Sequence, residues 1–183
     1  MHTYTLVTGN TSKAEEMRRF LGQVDIVDFD LPEMQETDPE KVIEAKLIEA
    51  RKHAPTTYIV EDTSLVISNL NGLPGPLIKW FQKTIGNSGI YNLAVKCTDC
   101  TAFAQTTIGY ISELGEMSFY TGKIHGKIVA ERGVNGFGWD AIFQPDGDNK
   151  TFGEMTPKEK DVYSMRRIAC EKLIADLERA KNE

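Results

Sequence analysis

The sequence predicts a mixed α/β fold with a mixed sheet, flanking helices and at least one antiparallel hairpin. Three observations support this prediction. Short β-branched runs alternate with amphipathic helical stretches through residues 4–60. Residues 102–112 and 116–129, rich in Ala, Phe, Thr, Ile, Tyr and Val, flank the turn at residues 113–116, which is typical of a hairpin. Thr156 and Glu159 have capping-box spacing, which predicts a helix start near the carboxyl end.

The first half of the chain is predicted to fold as alternating strands and helices. Residues 4–7 and 24–29 are strand-like, and a helix with Met17 on its apolar face lies between them. Asp38 before Pro39 predicts the start of a helix that ends near His53.

The remaining elements follow from shorter patterns. Residues 58–60 form a β-branched run that acidic residues interrupt before residues 65–67 resume it. Residues 71–76 are a rigid turn cluster. Helical sequence follows at once, and residues 88–96 are interpreted as another short helix. We also expect a strand over residues 137–143.

Composition places the chain among globular proteins and excludes some function classes. We expect one compact domain over residues 1–183. The formal net charge of −6 argues against a general nucleic-acid binder, although a local basic pocket could still take a small anion. With neither a leader pattern nor a long apolar segment, no membrane association and a cytoplasmic location are expected.

The cysteines and histidines do not predict a metal or redox centre. The three cysteines are an odd number, which fits reduced thiols better than a disulfide framework. Cys97 and Cys100 have C-x-x-C spacing, but a zinc site needs a second pair of ligands, and the three histidines are scattered. We interpret this pair as part of a loop before a strand.

Residues 8–13, TGNTSK, lie between the first strand and the first helix. Backbone N–H groups at a helix start, a glycine and a lysine can together hold a phosphate group. The loop lacks the Walker pattern, so a plain strand-to-helix turn capped by Asn10, Thr11 or Ser12 explains it equally well.

Glu61 and Asp62 interrupt an apolar run. Carboxylates at the end of a buried strand are costly unless they bind a cation, pair with bases or move protons. Side chains alternate along a strand, so one of the two could hold a metal while the other acts on water. The alternative is a surface turn between two strands.

Residues 133–167 combine glycines, aromatic rings, acids and bases in one segment. Tightly turned backbone around Phe137, Trp139 and Asp140 could present rings and a carboxylate to a planar base, and the following lysines and arginines could neutralise phosphate. A glycine-rich hairpin followed by a solvated charged helix is the alternative.

Six segments taken together, in order along the chain, resemble the inosine triphosphate pyrophosphatase family. They are VTGNTSK at 7–13, DLPEMQE at 30–36, VEDTSL at 60–65, NGLPGPLIKWF at 71–81, GFGWDAIFQPDG at 136–147 and TFGEMTPKEK at 151–160. The resemblance implies an elongated fold with two lobes around a central nucleotide cleft, usually in a homodimer. It also implies Mg²⁺-dependent hydrolysis of inosine, deoxyinosine and xanthosine triphosphates to the monophosphate and pyrophosphate, with Mn²⁺ as the alternative ion.

The resemblance also assigns roles to individual residues. Asp62 matches the carboxylate that activates water, and Glu33 and Glu61 match acidic positions that hold magnesium. The phosphate-binding positions are Thr8, Gly9, Asn10, Lys13, Lys46 and Lys79. The nucleoside-binding positions are Phe137, Gly138, Trp139, Asp140, Lys160, Ser164, Met165 and Arg166.

The chain departs from the family pattern within the nucleoside-binding segment. Where the family has Ser-His-Arg, this chain has Ser164, Met165 and Arg166; Asp161 stands for the usual Asn or Ser, and Ala141 for a proline. A thioether cannot donate a hydrogen bond to a purine oxygen as imidazole can, so we expect altered base preference. A catalytically weak nucleotide-binding protein that keeps the fold is the second hypothesis.

Overall fold

The structure is a computed structural model that describes residues 4–96 and 100–180. Cys97 lies outside these residues, so the loop expected for the C-x-x-C pair is not described in full. In the described part, the strands are β1 (Tyr4–Val7), β2 (Val24–Val27), β3 (Tyr58–Ile67), β4 (Pro74–Gly75), β5 (Thr101–Ile111), β6 (Met117–Ile128) and β7 (Phe143–Pro145). The α-helices are α1 (Thr11–Leu21), α2 (Pro39–Arg51), α3 (Ile78–Lys96), α4 (Pro157–Val162) and α5 (Met165–Ala180).

These strands form one mixed sheet, which confirms the predicted fold class. The strand order is β2-β1-β3-β5-β6-β7, and β4 pairs with β3. The pairs β1–β2 and β1–β3 are parallel, whereas β3–β4 and β6–β7 are antiparallel. The predicted hairpin is present as β5 and β6, with Ser112 N donating to Glu116 O at 2.9 Å in the turn.

The chain divides into two compact units, each with its own apolar core. Among the described residues, unit 1 comprises 4–62, 106–122 and 166–180, and unit 2 comprises 63–96, 100–105 and 123–165. Two clusters form the core of unit 1, one around Leu6 and Leu173 and the other around Ile43 and Val60. A single cluster that includes Phe143 forms the core of unit 2.

Local sequence signals determine where the helices begin. Asn10 caps α1 by accepting from Lys13 N, and Asp38 caps α2 by accepting from Glu40 N, with Pro39 in the first turn. Thr156 and Glu159 form the predicted capping box at the start of α4. These three predicted helix starts are confirmed.

Two local predictions are wrong. Glu61 and Asp62 are not in a surface turn, because β3 continues through them from Tyr58 to Ile67. The strand expected over residues 137–143 begins only at Phe143. Positive φ at Gly136 and Gly138, with a short helical turn at Asp140–Ile142, bends the preceding backbone out of the extended conformation.

Gly133 lies against the backbone of Gly153 in unit 2, and the energetic importance of this close contact can be tested. Its φ is +80°, and a Cβ there would lie 2.1 Å from Gly153 O. Gly72 in the same unit has φ +99° with nothing near such an added atom, so it is a matched control. We expect Gly133→Ala to lower the free energy of unfolding by about 1–3 kcal/mol more than Gly72→Ala, measured by urea unfolding. Equal losses in the two variants would show that the close contact at Gly133 has no energetic importance.

Candidate active site

The phosphate-binding loop predicted from the sequence lies between β1 and α1. Thr8 N donates to Val27 O at 2.9 Å, Asn10 N donates to Thr8 Oγ1 at 3.1 Å, and Lys13 N donates to Asn10 Oδ1 at 3.0 Å. These bonds fix the loop at the end of β1, where the helix begins. A Cβ at Gly9 would lie 2.8 Å from each carboxylate oxygen of Asp28, so glycine permits this close approach.

A buried network of alternating charges lies beside this loop in unit 1. Lys13 Nζ is 2.6 Å from Glu61 Oε1, and Arg166 Nη2 is 3.2 Å from Glu61 Oε2. The other terminal nitrogen, Arg166 Nη1, contacts Glu16 Oε2. Arg166, Glu61 and Glu16 are all buried. Lys13 was predicted to bind phosphate and Glu61 to hold a metal, and the structure brings the two side chains into direct contact.

The charge of Glu61 is determined by these neighbours. Burial raises the pKa of the Glu61 carboxyl, but Lys13 and Arg166 outweigh burial and hold its pKa well below the usual value. The lowered pKa keeps Glu61 ionised at neutral pH, where it accepts from Lys13 and Arg166 and has the charge that a cation ligand needs.

Asp62 pairs with a second lysine. Lys46 Nζ donates to Asp62 Oδ1 at 2.8 Å and is 3.4 Å from Glu61 O. The other oxygen, Asp62 Oδ2, is buried and has no hydrogen-bond partner within residues 4–96 and 100–180. A buried carboxylate oxygen without a partner is costly unless a ligand, an ion or a proton satisfies it. Asp62 thus has a lysine to orient it and a lone pair available for chemistry.

The donor set fits a divalent cation. Carboxylate oxygens are the protein ligands that Mg²⁺ prefers, and Glu61 supplies two of them from β3, while the next residue, Asp62, faces the opposite side of the extended strand. In the part of the chain that the structure describes, no group of three or more acidic, histidine or cysteine side chains could hold an ion by itself. An ion there would take its other ligands from water and substrate phosphates, as Mg²⁺ commonly does.

The predicted nucleoside-binding segment forms a second constellation, in unit 2. Asp140 Oδ2 accepts from Phe137 N at 2.8 Å and from Lys160 Nζ at 2.7 Å, and Lys160 Nζ also lies 4.8 Å from the centre of the Phe137 ring. Asp140 and Lys160 are buried, whereas Phe137 is half-buried. Gly136 makes this arrangement possible, because a Cβ there would lie 2.1 Å from Asp140 Oδ2.

The two aromatic rings of this segment differ in accessibility. Trp139 is 6% exposed and packs edge-on against Phe143 with the ring centres 5.6 Å apart. Phe137 is only half-buried. Of the two rings, Phe137 is therefore the one that can stack on a planar base, while Trp139 anchors the segment to the core of unit 2.

The remaining predicted site residues occupy varied positions. Glu33 is exposed between β2 and α2, and Lys79 is exposed in the first turn of α3. Ser164 is buried, and Met165 is buried in the apolar cluster of unit 2. Arg166 was grouped with the nucleoside-binding residues, and the structure places its guanidinium at Glu61 and Glu16. A direct contact of Arg166 with the base stays a prediction.

Sequence reasoning did not identify Glu16 as part of the site. Glu16 follows Lys13 by three residues on α1, and this spacing puts two side chains on one face of a helix. The available signal was the position of this carboxylate. It lies next to the buried Met17, on the same helix face as Lys13, which was predicted to bind phosphate.

The fold and the charged site in unit 1 define a mixed α/β protein with the groups needed to handle phosphates. The chain belongs to the Ham1 family, whose model matches residues 4–176. It is 38% identical to an inosine triphosphate pyrophosphatase of Schizosaccharomyces pombe, an alignment that covers 100% of this chain and 98% of that protein. It is 41% identical to an inosine triphosphate pyrophosphatase of Fusarium vanettenii, with 95% of each chain covered.

Solved structures share the fold. The Staphylococcus aureus Ham1 protein superposes with a TM-score of 0.81 at 23% identity, covering 97% of this chain and 100% of that one. A nucleoside-triphosphatase described as a dITP/XTP pyrophosphatase from Mycobacterium abscessus superposes with a TM-score of 0.71 at 28% identity, covering 94% and 98%. The predicted family is therefore confirmed.

Proposed function

We propose that this protein hydrolyses deaminated purine nucleoside triphosphates (ITP, dITP and XTP) to the nucleoside monophosphate and pyrophosphate, and so removes them from the nucleotide pool. Its identity of 38% and 41% to two inosine triphosphate pyrophosphatases confirms the predicted enzyme class, a hydrolase acting on nucleoside triphosphates. The observation that carries the mechanism is the Glu61–Asp62 pair on β3, in which each carboxylate contacts a different lysine.

In this proposal, the residues of unit 1 bind the triphosphate. Lys13 and Lys46 supply positive charge to the phosphates, and the N–H groups at the start of α1 add hydrogen bonds. For Lys79, the family resemblance alone supports a role in binding the substrate. Glu61, with Glu33, would hold Mg²⁺, or Mn²⁺ in its place. When bound, the ion offsets the negative charge of the phosphates and of the departing pyrophosphate.

Asp62 acts as the general base. Lys46 orients the carboxylate through Oδ1, and Oδ2 accepts a proton from a water molecule that attacks the α-phosphorus. The new P–O bond forms as the bond from the α-phosphorus to the bridging oxygen breaks, and pyrophosphate leaves with that oxygen. The products are the monophosphate and pyrophosphate, and the proton passes from Asp62 to solvent.

The residues of unit 2 read the base. Phe137 would stack on the purine. Asp140 accepts a hydrogen bond from the Phe137 backbone N–H and Lys160 contacts the Phe137 ring, so the two side chains hold Phe137 in place. Adenine would be rejected if the site hydrogen-bonds to the keto edge of hypoxanthine or xanthine and offers no partner for a 6-amino group. Guanine has the same 6-keto group, so it would be rejected only if the site offers no partner for its 2-amino group.

The experiment that tests this function is a pyrophosphate-release assay with Mg²⁺ on inosine, xanthosine, adenosine and guanosine triphosphates. We expect turnover of the first two at much higher kcat/KM than of the last two. Binding without turnover of any nucleotide would instead support the second hypothesis, a nucleotide-binding protein that keeps the fold without the activity.

Met165 is expected to affect base preference. Met165→His introduces a hydrogen-bond donor, and we expect the preference for ITP over ATP to rise several-fold, up to about tenfold, measured as the ratio of kcat/KM. Met165→Leu is the control, because it keeps the apolar contacts of this buried position and adds no donor. Unchanged ratios in the histidine variant, with its fold retained, would contradict the role given to this position.

No helix among the described residues is long and apolar enough to cross a membrane. A cytoplasmic location, a homodimer and one domain over residues 1–183 complete the proposal, and the family resemblance or the composition supports each of them.

A further inference from the structure

We propose that Asn87 of α3 is a positioning residue for the base-reading segment, and that it affects nucleoside affinity without touching the phosphates. The inference rests on the proposed function, and within that function it assigns a role to a residue outside the predicted site. Asn87 lies in unit 2 together with all of the side chains and backbone groups that it contacts.

The amide of Asn87 uses both its nitrogen and its oxygen to hold neighbours. Its Nδ2 donates to Gly138 O at 3.1 Å and to Glu131 Oε1 at 3.3 Å, and its Oδ1 accepts from Gln82 Nε2 at 3.1 Å. Gly138 lies between Phe137 and Trp139, so Asn87 holds the backbone next to the ring that can stack on a base. Gln82 is also close to Gly138, because a Cβ there would lie 3.5 Å from Gln82 Oε1.

The backbone beside Asn87 has an uncommon conformation. Gly86 interrupts α3 with φ 65° and ψ −179°, a region that essentially only glycine adopts. No atom lies within 4 Å of a Cβ added to Gly86, so crowding does not require glycine at this position. The conformation instead breaks α3 into two helical stretches next to Asn87. In this position the side-chain amide of Asn87 can donate to Gly138 O.

Phe137 is therefore held from two sides. On one side, Asp140 and Lys160 bind its backbone N–H and its ring. On the other, Asn87 fixes the carbonyl of the following residue. Both φ values of the flanking glycines are positive, and a short segment of this kind keeps one conformation only when its neighbours constrain it.

The test compares two ligands that divide the substrate, inosine monophosphate, which carries the base, and tripolyphosphate, which carries no base. Calorimetry on the full chain should show that Asn87→Ala weakens binding of inosine monophosphate about two- to tenfold, the range for loss of one hydrogen bond. Binding of tripolyphosphate should stay within about twofold of the wild type. Asn87→Gln retains the amide and should restore part of the loss.

The control is Asn92→Ala, an exposed asparagine in the second stretch of the same helix, which should leave both affinities unchanged. Equal inosine monophosphate affinity in the wild type and Asn87→Ala would overturn the proposal. Parallel weakening of both ligands would also overturn it, since that pattern indicates general destabilisation. A wild-type protein that binds inosine monophosphate but releases no pyrophosphate would count against the proposed activity alone, and the effect of Asn87 could still be read from binding.

Discussion

Asp62→Asn is expected to abolish measurable pyrophosphate release while the fold and nucleotide binding survive. Asparagine keeps an oxygen that can accept from Lys46, so the contact at 2.8 Å has a replacement. It cannot take a proton from water, and loss of a general base typically lowers the rate about 10²- to 10⁴-fold. The measurement is kcat for inosine triphosphate, combined with nucleotide binding by calorimetry and the urea unfolding midpoint.

Asp25→Asn is the matched control for this variant. Asp25 is an exposed carboxylate on β2 in the same unit, so the substitution removes an equal charge away from Asp62. Its turnover should equal that of the wild type. Full activity in Asp62→Asn would disprove the assignment of Asp62 as the base, and loss of nucleotide binding would show that the carboxylate acts in binding.

Arg166→Met is expected to cause the largest loss of stability of the changes considered. The side chain is 1% exposed and contacts Glu61 and Glu16, so methionine fills much of the space but leaves two buried carboxylates without its charge. Breaking a buried ion pair by removing one partner typically costs about 3–5 kcal/mol of unfolding free energy. Urea unfolding at pH 7 measures this loss.

The pH dependence of the loss identifies its cause. In the wild type, the pKa of Glu61 lies below its unfolded value, so its ion pairs stabilise the fold fully above about pH 4.5 and progressively less as the pH falls toward the folded pKa. Without Arg166, the Glu61 carboxyl loses one of the charges that lower its pKa and protonates more readily. The difference between wild type and variant should therefore shrink as the pH falls below about 4.5.

Arg167→Met is the control for Arg166→Met. The neighbouring arginine is 37% exposed and pairs with the exposed Glu171 one helical turn away, and such pairs contribute about 0.3–0.5 kcal/mol. A loss at position 166 as small as that at position 167 would show that the buried network does not contribute to stability. A large loss that persists unchanged at low pH would point to packing of the side chain.

Much of the fold follows from short-range signals in the sequence. The caps at Asn10, Asp38 and Thr156 define helix starts because the bonds involved span only two or three residues. The hairpin of β5 and β6 follows from its turn. The bend before Phe143 could not be predicted in this way, because the aromatic and apolar residues of that segment suit a strand. Only the positive φ values of Gly136 and Gly138 oppose a strand there.

The candidate site was likewise predicted from the sequence only in part. Residue type and family resemblance predicted Lys13, Glu61 and Asp62 as members of one site, and the structure brings Lys13 into contact with Glu61. Neither could place Arg166 against Glu61, since the two are 105 positions apart and their contact depends on how β3 and α5 pack. The contact of Glu16 with Arg166 spans 150 residues and could not be predicted either, although its spacing from Lys13 on α1 was a local signal for Glu16 itself.

The buried network of alternating charges also limits which substitutions can accumulate in this protein. Its members are Lys13, Glu61, Arg166 and Glu16. Each of these four side chains has an oppositely charged neighbour in the network, so replacing any one of them removes an ion-pair partner from at least one other member. Effects at such positions are not additive, and a second substitution can compensate for the first. Descendants of this protein should therefore keep the four residues together or exchange them as a set, even where the surrounding surface diverges freely.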